Sequence, residues 1–197
     1  MTRILLARHG ETEHNRRKIL QGQRDVELND RGREQARKLG ERLDEVELDA
    51  VYSSDLERAR ETAEIVAGEH GLEVETLEEL RERSYGHIEG EKHERRREEV
   101  DHADELDSWR PEGGENLQDV KERTESLTDM ILEEHGGGTV LVVGHGWVNR
   151  AVLMMALGCG SGNGHRIRQG NTCLNVLEHE DYRGWRINLV NDTSHLG

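Results

Sequence analysis

The chain is poor in the residues that staple a fold or cross a membrane. Its 197 residues include two cysteines, Cys159 and Cys173, too few for a disulfide framework or a thiolate metal site. Both are expected to be small core residues of a protein kept in a reducing compartment. No apolar run approaches the ~20 residues of a membrane span, and Ile4–Ala7 is far short of a signal-peptide core. A soluble, cytoplasmic protein with no membrane partner is expected. Positive charge is also scarce: 27 Lys and Arg stand against 42 Asp and Glu, for a formal charge of -15. Such a chain repels nucleic acid and anionic bilayers unless a local basic patch intervenes, so neither partner is expected. Lysine occurs only at 18, 38, 92 and 121, and the acid excess is consistent with a halophile, since salt screens self-repulsion. Ion-pair networks of a heat-adapted protein would read similarly.

Only 32% of the residues are apolar, yet they fall in periodic runs, so the chain is expected to fold, as one domain over 1–197. Ile4-Leu5-Leu6-Ala7 and Val140-Leu141-Val142-Val143 read as strands covered on both faces, the pattern of a parallel sheet's interior. Helical spacing places helices at Arg33–Val46, Leu56–Ala67, Leu117–Ile131 and Val148–Leu157. Shorter strands are predicted at Ala50–Ser53, Val74–Leu77, Leu174–Leu177 and Trp185–Val190, the last two joined by a turn at Tyr182-Arg183-Gly184. The alternation predicts an α/β protein, a three-layer α/β/α sandwich around a mostly parallel sheet. Residues 91–114 break the rhythm: they are charged, contain the sole proline, Pro111, and end in Gly113-Gly114, which suggests a partly helical lid.

In open parallel sheets ligands bind beyond the carboxyl ends of the strands. There the first strand delivers Arg8-His9-Gly10, and the Val140 strand delivers Gly144-His145-Gly146 and then a helix. The Ala50 strand delivers Ser54-Asp55, read as helix caps, with Arg58 in the first turn, and the Val74 strand leads to Arg81-Glu82. Each has a structural reading when taken alone, such as Arg58 paired with Glu57 or Glu61 on a solvated face. Together they suit a phosphate, which asks for planar bidentate donors, neutral donors and a helix amino terminus. Arg8, Arg58, Asn15, His145 and Gly146 are of those kinds. A neutral imidazole can attack phosphorus, and His9 is the candidate. A carboxyl group must protonate the departing oxygen, and Glu82 is placed for it.

Arg8-His9-Gly10-Glu11-Thr12, Ser53-Ser54-Asp55-Leu56 with Arg58-Ala59 and Thr62-Ala63, Leu80-Arg81-Glu82 with Gly86 and Glu89-Gly90, and Gly144-His145-Gly146 resemble, in this order, the histidine phosphatase superfamily, also called phosphoglycerate-mutase-like. Gln21-Gly22 with Asp25, Leu28, Gly32 and Gln35-Ala36 extends the match across nearly the whole chain. The resemblance implies the phosphoglycerate-mutase-like fold, a phosphorylated His9, Glu82 as proton donor, and Arg8, Arg58 and His145 as the phosphate pocket's walls. Asn15, Gln21 and Gly22 would add neutral donors. It implies no cofactor and no metal, and His9 and His14 have no third ligand at a suitable spacing. Glu27, Asn116 and Trp147 depart from the family's common residues without removing a catalytic group. Trp147 either narrows the pocket mouth or fills core. His70, His87, His93, His102, His135 and His179 read as solvated surface.

Three activities fit such a site. The first is hydrolysis of a small phosphorylated metabolite by a monomer or homodimer. The second is a cofactor-primed phosphoglycerate mutase, an isomerase, although mutases of the family usually carry a longer insertion between the Glu82 and His145 blocks. The third is a non-catalytic phosphate-binding module, disfavoured because His9 and Glu82 are both present. Arg95-Arg96-Arg97 and Arg110 are candidates for contacting a second acidic group, against the plainer reading of a solvated helix face.

Overall fold

A computed structural model describes residues 1–100 and 108–197. Six strands form one sheet: β1 (Thr2–Arg8), β2 (Ala50–Ser54), β3 (Val74–Leu77), β4 (Thr139–Gly144), β5 (Leu174–Glu180) and β6 (Gly184–Asp192). Their order is β3-β2-β4-β1-β5-β6, with β3, β2, β4 and β1 mutually parallel and β5 antiparallel to both its neighbours. The helices are α1 (Glu13–Arg16), α2 (Asp30–Leu43), α3 (Glu57–His70), α4 (His93–Val100), α5 (Leu117–Glu134) and α6 (Gly146–Ala156). None is long and apolar enough to cross a membrane among the described residues.

The continuous apolar runs are explained by two cores, one on each side of the sheet. Because side chains alternate along a strand, Ile4, Leu6, Val140 and Val142 point to a cluster with Val120, Leu127 and Ile131 of α5 and Val148 and Val152 of α6. Leu5, Ala7, Leu141 and Val143 point the other way, onto Leu39 and Leu43 of α2 and Ala59, Ala63 and Val66 of α3. Helices on both faces of a mostly parallel sheet make the three-layer sandwich that the alternation predicts. Truncating a fully buried side chain such as Leu6 or Leu141 is expected to cost about 2–5 kcal/mol.

The parallel register sets what meets at the carboxyl end. Arg8 lies opposite Gly144, Ser53 opposite Val143, and Ser54 opposite Leu77, so four strands stop at nearly one level. The segments after them therefore emerge side by side.

Several local expectations are corrected. Asp55 does not cap α3; it is engaged by Arg81, whose Nε donates at 2.8 Å, and the Glu57 N–H at the start of α3 donates instead to Asp25 at 2.8 Å. Ser54 Oγ does accept from the Leu56 N–H, at 3.2 Å. Cys173 is buried as expected, but Cys159 is exposed, because the chain leaves α6 into solvent there. His135 is half-buried and within 2.9 Å of the Tyr52 hydroxyl, and half-buried His179 packs tilted against Trp185 with ring centroids 4.8 Å apart. His70 is half-buried too, with its Nε2 enclosed. His102, the Arg97 side chain and the 101–107 part of the expected lid lie outside the described residues.

Candidate active site

β1 ends at Arg8, and His9 continues its ladder through a bond from its own N–H to the Gly144 carbonyl at 3.0 Å. His145 follows Gly144 on the adjacent strand as the N-cap residue of α6, so the two imidazoles come together, 5.1 Å between centroids at an interplanar angle of 57°. Both are buried. His9 Nδ1 lies 2.7 Å from the Gly10 carbonyl oxygen, which can only accept, so Nδ1 carries the proton and Nε2 keeps its lone pair. Burial above all, then Arg58 and Arg8, holds the His9 pKa well below its ordinary value, outweighing the Gly10 bond. Burial does the same to His145, helped by Arg58, His9 and Arg8. Neither ring nitrogen of His145 has a protein partner.

Arg58 is fully buried and Arg8 half-buried, and neither has a carboxylate partner among the described residues. Arg58 donates from its two terminal nitrogens to the Gly22 and Arg24 carbonyls, both at 2.8 Å, and its Nε is unpartnered. Burial pushes its pKa down to about 10, against a smaller opposing effect of Glu82, so it stays protonated at neutral pH. Arg8 donates to the Gln169 carbonyl at 2.7 Å and also keeps an unpartnered Nε, its pKa lowered by burial. A buried cation normally has a carboxylate beside it, and here only donors are left over. An anion from solution would complete them.

Neutral groups complete the floor. Asn15 Oδ1 accepts from the Thr12 N–H and hydroxyl and from Asn171 Nδ2, each at 3.2 Å, which leaves its amide N–H groups for the cavity. Gln21 is fixed by the Thr12 hydroxyl at 2.8 Å. Gly22 has φ +53°, and a Cβ there would come within 2.0 Å of Glu89, so only glycine suits it. Glu82 lies across the start of α6: Oε2 accepts from the Gly146 N–H and Oε1 from the Trp147 N–H, both at 3.0 Å, and Oε1 also accepts from the Arg83 N–H at 2.9 Å. These N–H groups fix the carboxyl group over the start of α6.

Of the residues singled out from sequence, Arg8, His9, Asn15, Gln21, Gly22, Arg58, Glu82 and Gly146 line one cavity of about 290 Å³. His145 does not belong to its lining. As the fully buried N-cap of α6 it lies behind His9, a correction to its expected place in the wall. Arg58 has no helix-surface pairing; Glu61 is bonded instead by Arg33 at 2.6 Å. Trp147 serves both its readings: it lines the cavity and packs with Leu20, Ile88 and Leu117, its indole N–H donating to the Tyr85 hydroxyl at 2.7 Å. His93, exposed as expected, also reaches the lining. Among the described residues no group of three His, Cys, Asp or Glu side chains is arranged to hold a metal ion.

Most of the other residues at the site carried no signal in the sequence. Asn171 Nδ2 donates to the His9 and Gly10 carbonyls at 3.1 Å. Thr172, with φ 50°, is strained for a β-branched residue, and its N–H bonds to the Arg8 carbonyl at 3.1 Å hold it there. Thr62 Oγ1 accepts from the Gly10 N–H at 3.0 Å and donates to the Arg58 carbonyl at 2.7 Å, linking the two basic segments. Arg83 is fully buried between Trp109 and the aromatic ring of Tyr85, donating to the Glu115 and Trp109 carbonyls at 2.8 and 2.7 Å. Only Thr62 lay in a quoted motif.

Residues 4–193 match the model of the histidine phosphatase superfamily, branch 1. The chain belongs to this superfamily. It is 39% identical over 202 residues to phosphoglycerate mutase-like protein 4 of Arabidopsis thaliana, covering 98% of this chain and 86% of that one. Its fold superposes on that of Bacillus stearothermophilus YhfR with a TM-score of 0.92, at 32% identity and over the whole of both chains. It is also similar to a phosphoserine phosphatase from Entamoeba histolytica, solved with phosphoserine, with a TM-score of 0.89 at 26% identity over the whole of both chains. Membership of the superfamily makes this histidine phosphatase homologue an enzyme of phosphoryl chemistry, and phosphatase and mutase are both within its range.

Proposed function

We propose that the protein is a phosphomonoester hydrolase working through a covalent phosphohistidine on His9, independent of metal. One observation carries this reading: His9 Nδ1 is committed to the Gly10 carbonyl, so Nε2 presents a lone pair in a cavity walled by two arginines that have no carboxylate partner. Arg8, Arg58 and Asn15 hold the phosphoryl oxygens as charge spreads over them. Nε2 attacks phosphorus, the bond from phosphorus to the ester oxygen breaks, and its electron pair leaves with that oxygen, which takes the proton of the Glu82 carboxyl. In the second step water attacks phosphorus, gives its proton to Glu82, and the phosphorus–nitrogen pair returns to Nε2 as orthophosphate departs.

Hydrolysis is favoured over transfer to a second hydroxyl because the sequence between the Glu82 block and α5 is confined to residues 91–116, a short stretch to shield a phosphoenzyme from water. The mutase reading draws its support from the names of relatives, the Arabidopsis protein and a probable phosphoglycerate mutase of Salmonella choleraesuis that is 29% identical over the whole chain. Release of nitrophenol from p-nitrophenyl phosphate, unaffected by EDTA, supports the hydrolase. Interconversion of 3- and 2-phosphoglycerate primed by 2,3-bisphosphoglycerate, faster than orthophosphate release, would replace it with the mutase.

A further inference from the structure

The turn that leads into β5, residues 169–172, touches Arg8, His9 and Asn15 without lining the cavity itself. The Gln169 carbonyl accepts from the Arg8 guanidinium at 2.7 Å. The Thr172 N–H lies 3.1 Å from the Arg8 carbonyl and 3.3 Å from that of His9, and the Asn171 amide reaches His9, Gly10 and Asn15. The turn is also fixed from behind. The Gly170 N–H donates to Asn191 Oδ1 at 2.7 Å, and the Cys173 N–H donates to the Gly170 carbonyl at 3.2 Å.

An asparagine in a turn usually has a local reason: it adopts the left-handed region or bonds its own backbone two residues on. Neither accounts for Asn171. The left-handed residue here is Thr172, with φ 50°, and the Asn171 amide donates to oxygens 156 to 162 positions away in the chain. Those oxygens belong to the chemistry. The Gly10 carbonyl, 3.1 Å from Asn171 Nδ2, is the acceptor 2.7 Å from His9 Nδ1 that decides which ring nitrogen keeps its lone pair. Asn15 Oδ1, 3.2 Å from the same Asn171 nitrogen, also accepts from the Thr12 N–H at 3.2 Å, so two donors turn the oxygen of Asn15 inward and leave its Nδ2 for the cavity. An aspartate of the same shape at 171 would set a carboxylate against three oxygens, and a leucine would offer them no donor.

We propose that Asn171 is a positioning residue, whose one amide group holds the Gly10 carbonyl that orients His9 for attack and keeps the donor end of Asn15 turned to the phosphoryl group. This rests on the hydrolase reading and adds to it how the nucleophile and a phosphate ligand are held in one arrangement.

Two readouts on the full-length protein test it without turnover. Orthophosphate is titrated by calorimetry into the wild type, Asn15→Ala, Asn171→Leu and the double variant. Asn171→Leu should weaken binding about tenfold, but by less than about twofold when residue 15 is already alanine, since nothing is then left to position. Nitrogen-15 NMR of the imidazoles should find neutral His9 protonated on Nδ1 in the wild type and in a mixture of tautomers in Asn171→Leu. Asn171→Gln, which keeps both donors, should recover part of each, which a loss of packing alone would not allow. Should Asn171→Leu not fold, Asn171→Ala takes its place in both measurements. Equal penalties with and without Asn15, or a His9 tautomer indifferent to residue 171, overturn the proposal, and so does a wild type that binds no orthophosphate. If phosphate binds with the expected coupling and the tautomer responds, yet p-nitrophenyl phosphate is not hydrolysed, the hydrolase reading falls and the positioning role stands.

Discussion

The sheet has a concavity at each end. At the amino ends of its strands Glu47, Asp49, Glu134 and His135 border a recess of about 550 Å³; at the carboxyl ends the arginine-lined cavity measures about 290 Å³. In the larger recess the polar groups are engaged with the protein itself: Asp49 accepts from the Thr139 N–H at 2.7 Å, and Glu134 from the Tyr52 hydroxyl at 3.1 Å. In the smaller cavity the Nε atoms of Arg8 and Arg58 are buried and unpartnered, as are both nitrogens of His145 next to His9. Size does not separate the two. Unanswered hydrogen-bonding capacity on two cations lining one cavity does, since leaving such groups desolvated is costly unless something from outside completes them.

The comparison breaks most visibly at Glu82. Glu82→Gln should lower kcat for an alkyl phosphate by about 10²–10⁴-fold. The loss should be much smaller for p-nitrophenyl phosphate, whose leaving group needs no proton; equal losses for both esters would remove Glu82 as the donor. Arg58→Lys keeps the charge but loses the fork that reaches Gly22, Arg24 and the cavity together. A fall of about 10²–10³-fold in kcat/KM is expected, and steady-state kinetics showing less than threefold would make Arg58 a structural cation only.

The buried imidazoles give the carboxyl end a pH signature. The folded pKa values of His9 and His145 lie below the ordinary 6.5. The unfolded chain therefore binds more protons in acid, and stability is full above about pH 6.5 and falls as pH drops below it. Each histidine contributes a slope of up to about 1.4 kcal/mol per pH unit. Urea titrations between about pH 7 and pH 5 should show this slope, shallower in His9→Asn; identical slopes would mean that His9 is not held neutral. The smallest effect belongs to the opposite recess. Asp49→Ala should cost about 1 kcal/mol through the lost Thr139 bond, with turnover unchanged within twofold; a loss of activity there would move functional weight to the wrong end of the sheet.

Much of this end was legible in the sequence because it is built from strand termini. An apolar run that stops at Arg8-His9-Gly10, and another that stops at Gly144-His145-Gly146, announce both the sheet and what projects from its edge. The predicted strands fall on the observed ones, with Val74–Leu77 matching at both ends. Arg83, Asn171 and Thr172 were not legible, because their roles depend on contacts across long sequence separations, such as Asn171 with the His9 carbonyl. Local periodicity also misassigned Asp55, since a cap and an ion-pair partner look alike until Asp25 is seen to take the α3 N–H. His145 was recognised by motif, yet its depth behind His9 follows only from the β1–β4 register.

The phosphoenzyme is the most direct test of the central claim. The full-length protein, mixed briefly with a phosphomonoester and quenched in base, should show one added phosphoryl group on the peptide containing His9. The label should be lost in acid and absent from His9→Ala. A label on a serine or aspartate peptide, or on His145, or full turnover by His9→Ala with no label, would contradict it.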